Sequence, residues 1–304
     1  MPVSAPSRRA AELRRSYLFL PGADAAALRA GPASGADVLI QELDDFTPPQ
    51  RLPEARRLAP DVLASWRKAG VLATVRINPL DKGGLDDLAA AMRGAPDIVA
   101  VPKVAEPDHV VALDRAIERL ERDYGLQHGS TEILPNIELA RGLVQTVAIA
   151  KASVRVKACL VASEDMAADL GAERGRDGTE LLYVRQRFLI ECVAAAVVAV
   201  DAPYTFSDDA GCEAETRFAR RLGYRSKSCV THAHAALINR ALTPSDEEVA
   251  KARRLIAAFE AARARGEERA DVDGNLVEVP SYLNAKRLIA RAEALATAYR
   301  SASR

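Results

Sequence analysis

The run Ile133-Leu134-Pro135-Asn136-Ile137-Glu138 is apolar almost throughout and then stops in a carboxylate. A second apolar run, 156–161, does the same and is followed by Glu164-Asp165. Unbroken runs of this length read as strands covered on both faces, as in a parallel sheet. A carboxylate where such a strand meets the surface is costly unless something pairs it. Two of them on consecutive strands suggest a shared partner, and a divalent cation is the simplest one.

Similar runs recur on both sides, at 17–21, 38–43, 72–77, 98–101, 196–200 and 226–230. Helical patterns fall between them. Val110, Leu113, Ile117, Leu120 and Tyr124 form one apolar stripe. Val249, Ala252, Ile256 and Phe259 form another, opened by Thr243-Pro244 as N-cap and first-turn proline. Eight strand–helix pairs in about 260 residues match an α/β fold of the (β/α)8 TIM-barrel type. A doubly wound sheet competes, but the first turn is Pro21-Gly22-Ala23-Asp24, without a GxGxxG phosphate loop.

Residues 1–14 are Ala/Arg/Ser-rich without the apolar core of a secretory signal and read as a disordered leader. The barrel is expected over 15–265 and a C-terminal helical extension over 266–304. In that extension a charged stretch (264–273) is followed by a turn at Gly274 and a helix over 282–299. That helix packs on its own barrel or reaches a neighbouring subunit.

The 304 residues carry 42 basic and 42 acidic side chains, for a formal net charge of zero. With no basic stripe, this argues against a nucleic-acid partner. No run approaches the ~18 apolar residues of a membrane span, and the chain is expected in the cytoplasm. Cys159, Cys192, Cys212 and Cys229 are dispersed and form no CxxC pair, as in a reducing compartment without structural disulfides.

In such a barrel, chemistry gathers where strands end at the C-terminal face. Polar residues stand at most of those ends: Asp44-Asp45, Arg76 with Asn78, Lys103, Glu138, Asp165, Asp201 and His232. Any one alone would be read as a structural ion pair. Together they describe a polar mouth. Glu138 and Asp165, with Asp44 and Asp45 nearby, are hard oxygen ligands for Mg2+ or Mn2+. Arg76 brings a fixed positive charge to a developing oxyanion. Ala140-Arg141-Gly142 opens a helix whose amides suit an anionic group. This set fits carbon–carbon bond cleavage or formation through an enolate. No GxSxG elbow supports a serine nucleophile. His232 and His234 lie at i and i+2, on opposite sides of a strand, and read as hydrogen-bonded or substrate-contacting residues rather than a metal pair.

Several motifs resemble the citrate lyase β-subunit-like family, with the malyl-CoA and citramalyl-CoA lyases. They include Arg15-Ser16-Tyr17-Leu18-Phe19-Leu20-Pro21-Gly22, Leu43-Asp44-Asp45-Phe46, Val75-Arg76-Ile77-Asn78-Pro79 and Val101-Pro102-Lys103-Val104. They continue through Ile137-Glu138-Leu139-Ala140-Arg141-Gly142, Ser163-Glu164-Asp165-Met166 and Asp273-Gly274-Asn275-Leu276-Val277-Glu278. The resemblance implies a trimeric or hexameric barrel that holds Mg2+ on Glu138 and Asp165. Asp44-Asp45 would bind metal waters, and Arg76 would stabilise carbonyl and enolate oxygens. Glu278, from a tail lying over a neighbour's site, would move the proton at the enolate carbon. Arg15, Pro21, Gly22 and Lys103 would lie at the coenzyme A thioester, and Ala140, Arg141 and Gly142 at the substrate. The implied reaction is reversible cleavage of a 3-hydroxyacyl-CoA (citramalyl-, malyl- or citryl-CoA type) into an acyl-CoA and a 2-oxo acid. The alternatives are a CoA-independent 2-oxo-acid aldolase, or a non-catalytic paralogue binding a ligand or carrier protein. Some positions depart from the family pattern: Asp44 replaces a Glu, Ala23 an Asn, Ala162-Ser163 a Gly-Ala, Ala233 a Pro and Glu278 an Asp.

Overall fold

The computed structural model describes residues 9–302. These form two compact units, one ending at Leu242 and the other beginning at Thr243.

The first unit is a closed parallel barrel of eight strands in sequence order. Chain order runs β1 (Ser16–Pro21), α1 (Ala25–Ala30), β2 (Val38–Glu42), α2 (Leu52–Lys68), β3 (Leu72–Arg76), α3 (Gly84–Met92), β4 (Ile98–Val101) and α4 (Pro107–Asp123). It continues with β5 (Glu132–Ile137), the short α5 (Ala140–Leu143) and α6 (Thr146–Lys151), then β6 (Ala158–Val161), α7 (Glu164–Leu170) and α8 (Leu182–Ala194). The last turn of the barrel holds β7 (Val198–Asp201), α9 (Asp209–Leu222), β8 (Ser226–Cys229) and α10 (His234–Leu242). Pairing of Tyr17 with Ser228 and Leu18 with Cys229 closes the barrel. The eight expected strands and the TIM-barrel architecture are present.

Alternation along each strand explains the unbroken apolar runs. Tyr17, Phe19, Val38, Ile40, Ala100, Leu134, Leu160 and Val200 pack together as the barrel interior. The intervening Leu18, Leu39, Val75, Val99, Ile133 and Cys159 pack outward under the helices. Both faces are therefore dry. On α4, Val110, Leu113 and Ile117 are buried on one stripe, at the helical spacing read from the sequence. The four cysteines are free and buried.

Two boundaries differ from expectation. Residues 1–8 of the expected disordered leader lie outside the described residues, but the rest of it is ordered. Ala11–Leu13 form a 3-10 turn. The buried Arg14 then makes a paired hydrogen bond to Glu132 at 2.6 and 2.9 Å. The second difference is the helix expected to close the barrel. It is α11 (Asp246–Ala264) and belongs to the second unit, while α10 is the eighth barrel helix. Its N-cap is Ser245, in a capping box with Glu248, rather than Thr243.

In the second unit, α11 is followed by a hairpin of β9 (Ala270–Val272) and β10 (Asn275–Val277), then by α12 (Val279–Ala302). Asp273 and Gly274 both take positive φ, 53° and 75°. Asp-Gly is the pair that tolerates this geometry in a two-residue hairpin turn. Phe259 stacks on Tyr282, with ring centroids 4.9 Å apart, joining α11 to α12. No helix among the described residues is long and apolar enough to cross a membrane.

Candidate active site

Strand parity decides which residues reach the mouth. Glu42 on β2 and Arg76 on β3 each lie an even number of residues beyond interior side chains. So does Glu138, one residue past β5. All three point inward at the C-terminal end of the barrel, and all three are buried. Arg76 is the hub. Its Nε donates to Glu42 Oε1 at 2.8 Å, its Nη1 to Glu138 Oε1 at 3.3 Å and its Nη2 to Asp45 Oδ2 at 3.5 Å. The guanidinium also lies 5.2 Å from the Phe19 ring and 5.9 Å from the Phe46 ring. Burial alone would lower its pKa, but the charges of Glu42 and Glu138 outweigh this and hold it protonated.

Glu42 organises the loop beyond β2. Its carboxylate accepts from the amides of Asp44 (2.6 Å) and Phe46 (2.5 Å). That orders Asp44 and Asp45 over the mouth. Burial pushes Glu42 and Asp44 above the ordinary carboxylate range, and Asp45 adds to the effect at Asp44.

Glu138 Oε2 accepts from the amide of Lys103 at 2.9 Å, and Oε1 faces the Asn136 side-chain amide at 3.4 Å. Lys103 takes the left-handed conformation, φ 52°, which aims that N–H at Glu138. A non-glycine residue holding this backbone costs about 1–3 kcal/mol. Its side chain reaches Asp45 at 3.3 Å, Asp44 at 3.5 Å and Asp165 at 3.9 Å. Burial pushes the Glu138 pKa up to about 7; the Arg76 charge opposes this rise, and the weaker effect of the Asp165 charge adds to it.

The mouth therefore sets five carboxylates (Glu42, Asp44, Asp45, Glu138, Asp165) against two cations, Arg76 and Lys103. A cation is what this donor set lacks, and the available ligands are hard oxygens. Among the described residues no three His, Cys, Asp or Glu side chains form a ready cage. Mg2+ does not need one, because it binds through one or two carboxylates and keeps water or substrate oxygens in its other positions.

Other expected site residues have their own contacts in the structure. Asp201 has the wrong parity and points to the helix layer. It is fully buried between Arg185 (2.7 and 2.8 Å) and Lys227 (2.8 Å). Arg15 precedes β1 and lies at the opposite end of the barrel, where its backbone N–H and Nε meet Asp37 at 2.7 and 3.0 Å. Gly22 is a packing glycine, since a Cβ there would come within 2.2 Å of the Glu42 carbonyl oxygen. Pro21 is exposed at the end of β1. Asn78 is held by Leu43 O and Asp87, each at 2.8 Å. His232 Nε2 lies 3.1 Å from Ala30 O.

The amides after Glu138 are also engaged. Ala140 N–H donates to Asp169 at 2.7 Å, and Arg141 pairs with Glu106 at 2.6 Å. Gly142 lets the chain pass the Val104 carbonyl, which a Cβ would approach to 2.1 Å. Glu278 follows the hairpin and is half-exposed, 3.6 Å from Arg269. Sequence reasoning missed Glu42. Its signal was the one that revealed Glu138, an acid closing an apolar strand, hidden by the Asp44-Asp45 pair that follows.

The fold is a closed (β/α)8 barrel with a carboxylate- and arginine-lined mouth, and comparison with known proteins places it among the carbon–carbon lyases. The chain belongs to the HpcH/HpaI aldolase/citrate lyase family, whose model matches residues 15–232. It is 33% identical to citrate lyase subunit beta of Escherichia coli K12, over 94% of this chain and 95% of that one. It is 32% identical to the L-malyl-CoA/beta-methylmalyl-CoA lyase of Cereibacter sphaeroides (strain ATCC 17025), over 92% and 94%. Among solved structures it resembles the CitE protein of Mycobacterium tuberculosis in complex with magnesium, acetoacetate and coenzyme A. The TM-score is 0.76 and the identity 26%, covering 94% of this chain and 99% of that one.

Proposed function

We propose that this chain is a Mg2+-dependent lyase that cleaves a 3-hydroxyacyl-CoA into an acyl-CoA and a 2-oxo acid. The observation that carries the reading is the convergence of Arg76, Glu138 and Asp165 in a mouth with an excess of carboxylates. Mg2+ on Glu138 and Asp165 would supply Lewis-acid polarisation of the 2-oxo acid oxygens. The presence of magnesium in the related CitE complex supports that choice.

The chain's own groups account for the remaining steps. The substrate hydroxyl gives up its proton to the water and carboxylates of Asp44 and Asp45 and becomes the 2-oxo carbonyl. The bond from that carbon to the thioester α-carbon breaks, and its electron pair passes into the thioester as an enolate. Arg76, locked on Glu42 and Glu138, holds its remaining N–H groups toward the oxygen that gains charge, without reorganising during the reaction. Asp44 and Asp45 hold water at the rim. The enolate carbon is protonated by Glu278 of a neighbouring copy in a homotrimer or hexamer, and light scattering of the purified protein tests that assembly state.

A second reading, a CoA-independent 2-oxo-acid aldolase, draws on one observation. Three of the four residues assigned to the thioester are otherwise engaged: Arg15 with Asp37, Gly22 against Glu42, and Lys103 with the acids of the mouth. One experiment separates the readings. Citramalyl-, malyl- and citryl-CoA and the corresponding free hydroxy acids are assayed with Mg2+ and with EDTA. Turnover of a CoA ester that EDTA abolishes supports the lyase. Turnover of free acids alone supports the aldolase, and EDTA-resistant turnover overturns both.

A further inference from the structure

Phe46 stands at the lip of the mouth on the loop after β2 and is 43% exposed. An isolated exposed phenylalanine needs no explanation, but this one is held in place. Its amide is fixed on Glu42, and its ring meets Phe19 edge to face, with centroids 6.4 Å apart at 70°. With Phe19 it flanks the Arg76 guanidinium. The reacting end of any ligand that uses Arg76 therefore passes an apolar ring.

The charges around that ring work in one direction. Asp45, adjacent in sequence, is itself 43% exposed at its side chain. The cations at the mouth are engaged: Arg76 by Glu42, Glu138 and Asp45, and Lys103 by Asp44, Asp45 and Asp165. Arg141, on the loop after β5, pairs with Glu106. On the reading proposed above, one carboxylate of a 2-oxo acid would have the cation held by Glu138 and Asp165. A second carboxylate on the same ligand would meet the Phe46 face and the Asp45 charge, and would lose hydration against cations already shared among the acids of the mouth.

We propose that Phe46 is a specificity-determining residue and that the mouth takes a 2-oxo acid bearing hydrogen or a short alkyl group beside its carbonyl, in preference to one bearing a second carboxylate. This rests on the reading of the mouth as a 2-oxo-acid site. It narrows that reading to the lyases that release a monocarboxylic 2-oxo acid.

The test is calorimetric titration of the full-length protein in Mg2+ with pyruvate, 2-oxopentanoate and 2-oxoglutarate. The last two differ only in a terminal methyl against a carboxylate. Pyruvate and 2-oxopentanoate are expected to bind at least about tenfold more tightly than 2-oxoglutarate. Phe46→Ser should narrow that ratio, and Phe46→Arg should reverse it. Equal or tighter binding of 2-oxoglutarate by the wild type, or an unchanged ratio in Phe46→Ser, overturns the role of Phe46 and leaves the lyase reading standing. Absence of any Mg2+-dependent binding of a 2-oxo acid overturns both.

Discussion

Arg76 Nη1 lies 3.3 Å from Glu138 Oε1, and the two side chains are buried together where β3 and β5 open into the mouth. The contact is long for a charge-assisted hydrogen bond, whereas Arg76 Nε to Glu42 is short, at 2.8 Å. Glu42 thus anchors the guanidinium, and Glu138 keeps capacity for a further cationic partner. Arg76→Ala should lower kcat by about 100- to 1,000-fold, the usual effect of removing an oxyanion donor. Arg76→Lys should restore little of this, because a lysine cannot bridge Glu42 and Glu138 with fixed planar donors. Steady-state kinetics of both variants check the assignment, and near-wild-type kcat in either would reject it.

Metal dependence should be visible without turnover. A ligand that binds only the folded state raises stability with its concentration, by about 2.7 kcal/mol at a hundredfold excess over Kd. Mg2+ should therefore raise the thermal midpoint of the wild type, and EDTA should reverse the shift. Glu138→Gln and Asp165→Asn should each remove the response while the protein still unfolds cooperatively. An undiminished Mg2+ shift in either variant would show that the cation binds elsewhere.

Most of the barrel was legible because a parallel strand covered on both faces needs little more than apolar residues, and 133–138 and its counterparts supply them. What strand ends alone did not reveal was direction. Glu138 and Asp201 both close apolar runs, yet Glu138 continues the interior series through Leu134 and Asn136, while Asp201 follows the outward-facing Ala199. Counting parity from the interior residues separates the site acid from the structural one, and the same count recovers Glu42. Arg15 and Lys103 were less readable. A long flexible side chain takes whichever carboxylate the tertiary fold brings near, and Asp37 and Asp45 are distant from them in sequence.

The Asp201 network should give the fold a defined acid sensitivity. Burial pushes its carboxyl upward, but the charges of Lys227 and Arg185 outweigh this and hold it below the ordinary range. A depressed carboxylate contributes stability that is present above its unfolded pKa and lost as pH falls through the lower folded value. Urea unfolding should therefore weaken below about pH 4. Asp201→Asn, which leaves the buried Arg185 and Lys227 sharing only Glu215 as a carboxylate partner, should cost about 3 kcal/mol at neutral pH and flatten the acid limb. An Asp201→Asn protein with wild-type stability and the same acid limb would count against this assignment.

Gly22 tests whether the β1 loop and the Glu42 loop are one packed unit. Its amide donates to Thr47 Oγ1 at 3.0 Å, and that hydroxyl in turn donates to Glu42 O. A Cβ at Gly22 would sit 2.2 Å from Glu42 O and 2.9 Å from Thr47 Oγ1. The first of these is backbone and cannot rotate away, so the two loops must separate. Gly22→Ala is expected to destabilise by about 1–3 kcal/mol, as overpacking of a close contact does. Because Glu42 holds Arg76, the displacement should also reach the chemistry, lowering kcat more than it raises KM. Thr47→Val, which breaks the hydrogen bonds without adding a clash, should show a smaller loss in both measurements. If Gly22→Ala lost stability while kcat stayed unchanged, the β1 loop would be uncoupled from Arg76, and Gly22 would serve packing alone.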